Sequence, residues 1–472
     1  MSRLKRTTLI HFTSQVLVSM SGFLATFAIA RLLGSDILGQ YALVAAIVIW
    51  FSFPVAAIGF ATTKRMSEGE DPDVFLGAGF LVIAAVVPLL VGVVLLGRSF
   101  FQDYIGAPVT DLLAVLIAAT TVFILVKNGL KGQKKVATTG VSSAAHRGFR
   151  TVLQVALILL GFRLGGIIAG HIAGLVLGTV LALYFYEVTP ALPGRAELRS
   201  LLEYARYSWL GTLQSQSFGW MDTIVLGFFV TASQIGIYEV AWNLASVLIL
   251  VGVSIRTTLF PEISDLGTDD RYEEIREFVG DGLLFTGVFA IPGLVGAAVV
   301  GPRVLAIYRP EFSRGAGILA LLVVARFLAA YGTLFLTVVN GIDRPDIAFR
   351  INAAFIVANL SLNVVLVAAV GWYGAAVATG LSAALMLAAG YVAVRRLIGA
   401  PSIPFVGIGK EVAAAGLMGA ALWLVRPFVP QDHYLTVLLV GCGAAIYVAT
   451  LLSISGRIRG KVTELLPGSV AA

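Results

Sequence analysis

Between about residue 8 and residue 455 the chain alternates long apolar stretches with short polar breaks. The stretches run to about 20 residues, the length that spans bilayer hydrocarbon as a helix. Hydrophobicity, with punctuation by Gly, Pro and charge, predicts fourteen helices. Their approximate limits are 8–33, 37–60, 74–97, 109–128, 141–162, 165–187, 206–230, 234–257, 278–300, 315–340, 347–370, 373–395, 409–427 and 434–455. A β-barrel is excluded, because its strands would alternate apolar and polar positions over segments of about 10 residues, and these runs are continuous. The first stretch is read as a span and not as a cleaved signal. It is too long for an apolar signal core, contains His11, Thr13, Ser14 and Gln15, and lacks a small-x-small cleavage site.

Composition agrees. The chain is 58% hydrophobic and 12% charged, about half the charged fraction of soluble proteins, which leaves no soluble domain large enough to fold alone. The net charge of +7 comes from basic residues held on one side of the membrane. With the N-terminus placed in the cytoplasm, 25 of the 33 Lys and Arg residues fall in inner segments, 7 in outer ones, and Arg326 in mid-span. The inner group includes Lys127, Arg147 and Arg150. That asymmetry predicts both termini inside, an even number of spans and a multi-pass protein of the cell membrane; twelve spans remain possible if the last pair is misread. One cysteine, Cys442, rules out an internal disulfide. The four histidines show no metal-ligand spacing, and no cofactor is expected.

The chain also repeats itself. Gly39-x-Tyr41 recurs as Gly236-x-Tyr238, Thr62-Thr63 as Thr257-Thr258, and Phe75-x-Gly77 as Phe278-x-Gly280. Pro88 matches Pro292, Asn128-Gly129 matches Asn340-Gly341, and Gly165-Gly166 matches Gly374-Ala375. The matches keep one order, at spacings of 195 to 212 residues. The repeat unit is therefore six spans. An even number makes the copies parallel, related by a pseudo-twofold axis along the membrane normal, with a substrate path between them. The expected divisions are a six-helix lobe over 1–190, a second over 191–400, and an extra helix pair with a tail over 401–472. RAELRSLLEYAR, after Pro190 and Pro193, reads as an interfacial amphipathic helix. Gly161, Gly165, Ala169 and Ala173 form a small-residue stripe suited to close helix packing.

Three stretches resemble the polysaccharide transporter branch of the multidrug/oligosaccharidyl-lipid/polysaccharide exporter superfamily. They are ARLLGSDILGQY from residue 30; Asp222, Gly227, Gly236, Tyr238 and Ala241; and NGIDRPDIAFRINAAFIVANLSLNVVLV with GWYGAAVATGLS. In the last, Asn340-Gly341, Arg344-Pro345, Asn359, Asn363, Gly371, Gly374-Ala375-Ala376 and Thr379 are similar to that family's C-terminal signature. The resemblance spans roughly residues 5–400. It implies two six-helix lobes and a flippase, not an enzyme. Such a flippase moves a glycan linked to isoprenoid phosphate or pyrophosphate from the cytoplasmic to the outer leaflet by alternating access. Fourteen spans also occur in the related lipid II flippases. The implied partners are the lipid-linked glycan and membrane lipids, with H+ or Na+ as candidate coupling ions. A monomer that binds no nucleic acid is expected.

Flipping a phosphate-bearing, hydroxyl-rich headgroup needs a polar and preferably cationic path, so polar residues inside spans are the candidates. Arg326, in GILALLVVARFLAAYGTLFL, must face a cavity or a carboxylate and is suited to bidentate phosphate contacts. Arg31 and Arg256 are further candidate phosphate contacts, with membrane-interface anchoring as the structural alternative. Gln15, Gln214, Asn243 and Trp242 are candidate sugar contacts, against the alternative of helix–helix hydrogen bonds. Asp222 is the candidate counter-ion or ion-coupling residue. Two other functions compete with a flippase: a cation-coupled drug or small-solute antiporter, which would need more carboxylates within the first lobe, and a polysaccharide polymerase or ligase, which would need a large outer loop.

Overall fold

A computed structural model describes residue 18 and residues 20–69, 71–248 and 250–465, except for the side chains of 207–218, 250–258 and 461–465. All regular structure among these residues is helical. The helices are α1 (Met20–Leu33), α2 (Ser35–Phe51), α3 (Phe53–Ser67), α4 (Pro72–Leu96), α5 (Arg98–Ile105), α6 (Thr110–Gly132), α7 (Val136–Leu159), α8 (Leu164–Tyr184), α9 (Arg195–Phe229) and α10 (Ala232–Val247). There follow α11 (Leu250–Thr268), α12 (Tyr272–Ala306), α13 (Ala316–Gly341), α14 (Pro345–Val370), α15 (Trp372–Ile398), α16 (Phe405–Val425), α17 (His433–Ile454) and α18 (Gly456–Leu465).

Helical structure stands at each of the fourteen expected positions. Among the described residues, nine helical segments are long and apolar enough to cross a membrane. A tenth is α2 with α3, bent by 48° at Ser52, two residues before Pro54, whose missing N–H and ring prevent a continuous helix. α7 is not among these spans, because it carries His146, Arg147, Arg150 and Gln154. The stretch expected as a separate interfacial helix is the first part of α9, a single helix of 35 residues.

The chain groups into two compact units, Met1–Gly236 and Ile237–Ala472. In the first, α7 packs along α8, α6 lies against α3, α4 and α8, and α9 packs on α2, α3 and α4. In the second, α13 packs along α15, α14 along α15, and α12 against α11, α13 and α16. The final pair α16 and α17 pack on each other. α17 buries only a stripe, Thr436, Leu439, Gly443, Tyr447 and Leu451, while Val437, Leu438 and Val440 are exposed. Helical periodicity gives it one face for protein and one for lipid.

The backbone repeats as the sequence does. Left-handed residues close corresponding turns at Asp71 and Asp270, at Lys134 and Asp343, and at Gly161 and Gly371. The repeated Gly-x-Tyr glycines also pack on each other. A Cβ on Gly39 would strike the Ala232 carbonyl, and one on Gly236 the Ser35 carbonyl. The Ser35 and Ser233 hydroxyls share a 2.7 Å hydrogen bond beside them. Gly77 and Gly280 serve a second repeated contact, receiving the carbonyls of Ala191 and Ser402 against a bare Cα. Only glycine lets backbones approach this closely.

Candidate functional site

The most unusual chemistry lies in the first unit, on α1, α2, α6, α7 and α8. α7 begins at Val136, five residues before the predicted span, so Arg147 and Arg150 fall near the middle of a 24-residue helix. Lys127 of α6 lies beside them, within electrostatic reach of Arg147, and Arg147 within reach of Arg150. All three side chains are half-buried. The Lys127 ammonium sits over the Phe123 ring, 5.4 Å from its centroid. The Arg147 guanidinium lies against Gly22 of α1, 3.7 Å from where a Cβ would stand. Arg147 is held there from its backbone: its carbonyl accepts hydrogen bonds from the Ser21 hydroxyl (2.7 Å) and the Thr151 hydroxyl (3.0 Å).

No carboxylate answers these cations. Among the described residues, none of Lys127, Arg147 and Arg150 takes part in a salt bridge, and Arg150 Nε is buried without a hydrogen-bond partner. Concentrating like charges at half-buried positions in a helical bundle is costly unless an anion offsets them.

A polar network is interleaved with the cations along α7. His146 stacks on His171 of α8 at 5.7 Å, with the rings 14° from parallel. Gln154 donates from Nε2 to the Ile167 carbonyl (3.0 Å) and to the Tyr41 hydroxyl (3.1 Å). Tyr41 in turn contacts His171 Nδ1 at 3.0 Å.

A glycine stripe on α8 sets this geometry. Gly166, Gly170, Gly174 and Gly178 face Leu157, Gln154, Arg150 and His146 in turn. The stripe expected at Gly161, Gly165, Ala169 and Ala173 is thus displaced: Gly161 has open space around it and closes the α7–α8 turn. The glycines let α7 lie close enough for its long polar side chains to be clasped.

In the second unit the structure brings together two residues singled out in the sequence. The Arg326 guanidinium of α13 lies 4.8 Å from the centroid of the Trp242 ring on α10, a cation–π contact. Asn243, next on α10, donates to its own helix at the Glu239 carbonyl (2.9 Å), the helix-internal alternative to sugar contact. Asn359, Asn363 and Thr379 are buried where α14 meets α15, with Asn359 Nδ2 3.4 Å from Thr379 Oγ1. In the first unit, Arg31 is half-buried in the last turn of α1, and Asp222 is 4% exposed on α9. Gln15 lies outside the described residues, as do the side chains of Gln214 and Arg256. Among the described residues no three His, Cys, Asp or Glu gather as metal ligands.

Sequence reasoning missed the Lys127–Arg147–Arg150 group because it counted all three as inner-side anchors. The signal was nonetheless present. His146, Arg147, Arg150 and Gln154 recur at three- and four-residue intervals, which collects them on neighbouring faces of a helix, and no acid stands between residues 112 and 186.

Among the described residues the architecture is all-helical, with at least nine helices long and apolar enough to cross a membrane. The fold matches that of a solved structure of the lipid II flippase MurJ in an inward closed conformation, with a TM-score of 0.78 at 16% identity over 97% of this chain and 99% of that one. It also matches an inward-facing multidrug resistance MATE family transporter, with a TM-score of 0.69 at 14% identity over 82% and 98%. The chain belongs to the polysaccharide biosynthesis protein family, whose model matches residues 28–308. Two relatives come from Haloferax volcanii. A probable flippase, AglR, is 34% identical over the full length of both chains. A probable low-salt glycan biosynthesis flippase, Agl15, is 26% identical over 77% of each.

Proposed function

We propose that this protein is a flippase that carries a lipid-linked glycan across the cell membrane by alternating access, from the cytoplasmic to the outer leaflet. The phosphate or pyrophosphate between lipid and sugar would be the anion that the Lys127–Arg147–Arg150 group takes. The observation that carries this reading is three half-buried cations within one unit that, among the described residues, no carboxylate neutralises. Arginine meets phosphate through a planar pair of N–H donors and lysine as a point charge, so the set suits a diphosphate better than a neutral sugar. Tyr41, His171 and Gln154 offer hydroxyl and ring N–H groups at the depth where the first sugars would follow. The names of the two Haloferax relatives support the same substrate class.

The remaining site residues fit as later contacts. Arg326 on its tryptophan platform would receive the phosphate in the second unit, with Asn243 beside it, and Arg31, Arg256, Gln15 and Gln214 would line the path. Asp222 would balance an arginine or bind the coupling ion, H+ or Na+. The functional division proposed is a lobe over 1–190, a lobe over 191–400, and the α16–α17 pair with the tail over 401–472, in a monomer with both termini cytoplasmic.

The test is reconstitution of the full chain into liposomes with a short-chain polyprenyl diphosphate oligosaccharide bearing a fluorophore. Protein-dependent loss of inner-leaflet label, reduced about tenfold or more by Arg150→Gln, is expected. That factor corresponds to the ~1.5–3 kcal/mol of a hydrogen bond to a charged group. Flipping of the labelled lipid at the rate of protein-free liposomes would remove the proposal.

A further inference from the structure

A second ionisable group sits in the span region of the other unit, away from every residue discussed so far. Glu411, on α16, has 0% exposure and is the only buried glutamate among the described residues. Neither of its carboxylate oxygens has a hydrogen-bond partner. The carboxylate points at α12 where residue 287 is glycine, and a Cβ there would collide with Glu411 Oε2. Two phenols border it. The Tyr331 hydroxyl of α13 gives its proton to the Leu283 carbonyl at 3.0 Å and not to the carboxylate. Tyr447 of α17 is 3% exposed, with its hydroxyl unpartnered.

An ionised carboxylate in such a place would cost several kcal/mol without compensation, and the neutral acid far less. A structural residue at this point would be Leu or Gln, neither of which must exchange a proton in order to be buried. A half-open cavity of about 400 Å³ is lined by Leu284, Gly407, Lys410, Ser455 and Arg457, among others. Gly407 is one turn before Glu411 on α16, and Leu284 one turn before Gly287 on α12, so the cavity wall and the carboxylate are axial neighbours.

The charged and titratable groups around Glu411 are few. On its own helix Lys410 lines the cavity. Toward α12 and α18, Asp281 and Arg457 neutralise each other in a 2.6 Å ion pair. Toward α13 and α17 stand Tyr331 and Tyr447. At the far end of α16, Arg426 is engaged with the Val299 carbonyl at 2.8 Å.

We infer that Glu411 is an exchangeable proton-binding site: it holds a proton while α16 lies against Gly287 of α12, and releases it to the Lys410–Arg457 cavity when the two helices part. The ligand is the proton itself, so the site stands or falls independently of what the protein transports. The experiment is isotope-edited infrared spectroscopy on the full chain in liposomes, with ¹³C-carboxyl glutamate. The wild type should show a protonated-carboxyl C=O band at neutral pH that is lost as the pH rises, and Glu411→Gln should remove it. No such glutamate band in the wild type, or a band that survives Glu411→Gln, would overturn the inference. The wild-type spectrum alone decides the first point if the variant does not fold. The unfolding temperature of the wild type should change over the pH range in which the band is lost, while Glu411→Gln stays flat; identical profiles would also overturn it.

Discussion

Arg147 and Arg150 stand on the same helix, beside Lys127, with no acid among the described residues paired to them, and this imbalance has a measurable signature. Removing one charge relieves repulsion in a half-buried site, so Arg150→Gln should raise the thermal stability of the purified chain by about 1 kcal/mol while it lowers flipping. A structural arginine would show the opposite, losing stability first. At Arg326 the expected order differs. Cation–π contacts contribute about 0.5–2 kcal/mol, and Arg326→Ala should reduce flipping while leaving membrane insertion intact, as judged by expression and glycan export in a deletion strain. Wild-type export by that variant would remove Arg326 from the path. A double-mutant cycle with Trp242→Leu should show coupling between the two side chains. Arg326 was legible in the sequence because it interrupts an apolar run at its centre. Lys127, Arg147 and Arg150 were not: they lie within the expected spans 109–128 and 141–162 but read as inner-side anchors, and only the packing of α7 beside α6 shows that the three gather.

At the scale of elements, the α7–α8 pair does the positioning. A Cβ on Gly174 would lie 2.8 Å from both Arg150 Cβ and the His146 carbonyl, so Gly174→Ala must push the helices apart at the cation group. Overpacking of this kind costs about 1–3 kcal/mol, and the loss should appear in thermal unfolding in detergent together with slower flipping. Gly161→Ala, in open space, should leave packing intact and act only through its left-handed backbone. Both glycine runs share the four-residue period of a helix face, so sequence alone could not choose between them. The choice depends on which face α7 approaches. The same reasoning covers α9: the polar stretch and the apolar stretch after it were legible, but not that they form one continuous helix.

For the whole molecule, the distribution of Lys and Arg predicts that reporters fused to either terminus will report from the cytoplasm, and that a cysteine placed in 98–108 will react with impermeant reagents from outside. A terminus on the outer face would reverse the proposed direction of transport. The duplicated left-handed turns, Asp71 with Asp270, Lys134 with Asp343 and Gly161 with Gly371, show that the repeat read from scattered pairs is a repeat of backbone.

The sequence by itself determined the membrane class, the helical positions and the six-helix period, because all three follow from hydrophobicity and glycine placement along a single chain. It also pointed to the family, whose model matches residues 28–308. Only the tertiary structure decided where polar side chains meet. Lys127 on α6 and Arg147 on α7 come together, as do Arg326 and Trp242, and Glu411 and Gly287, through contacts between residues up to 124 positions apart, as Glu411 and Gly287 are. In a chain that is apolar almost throughout, no local pattern encodes which face of one helix turns toward another. That is set by close packing of small residues, and with it the place where a charge can be held.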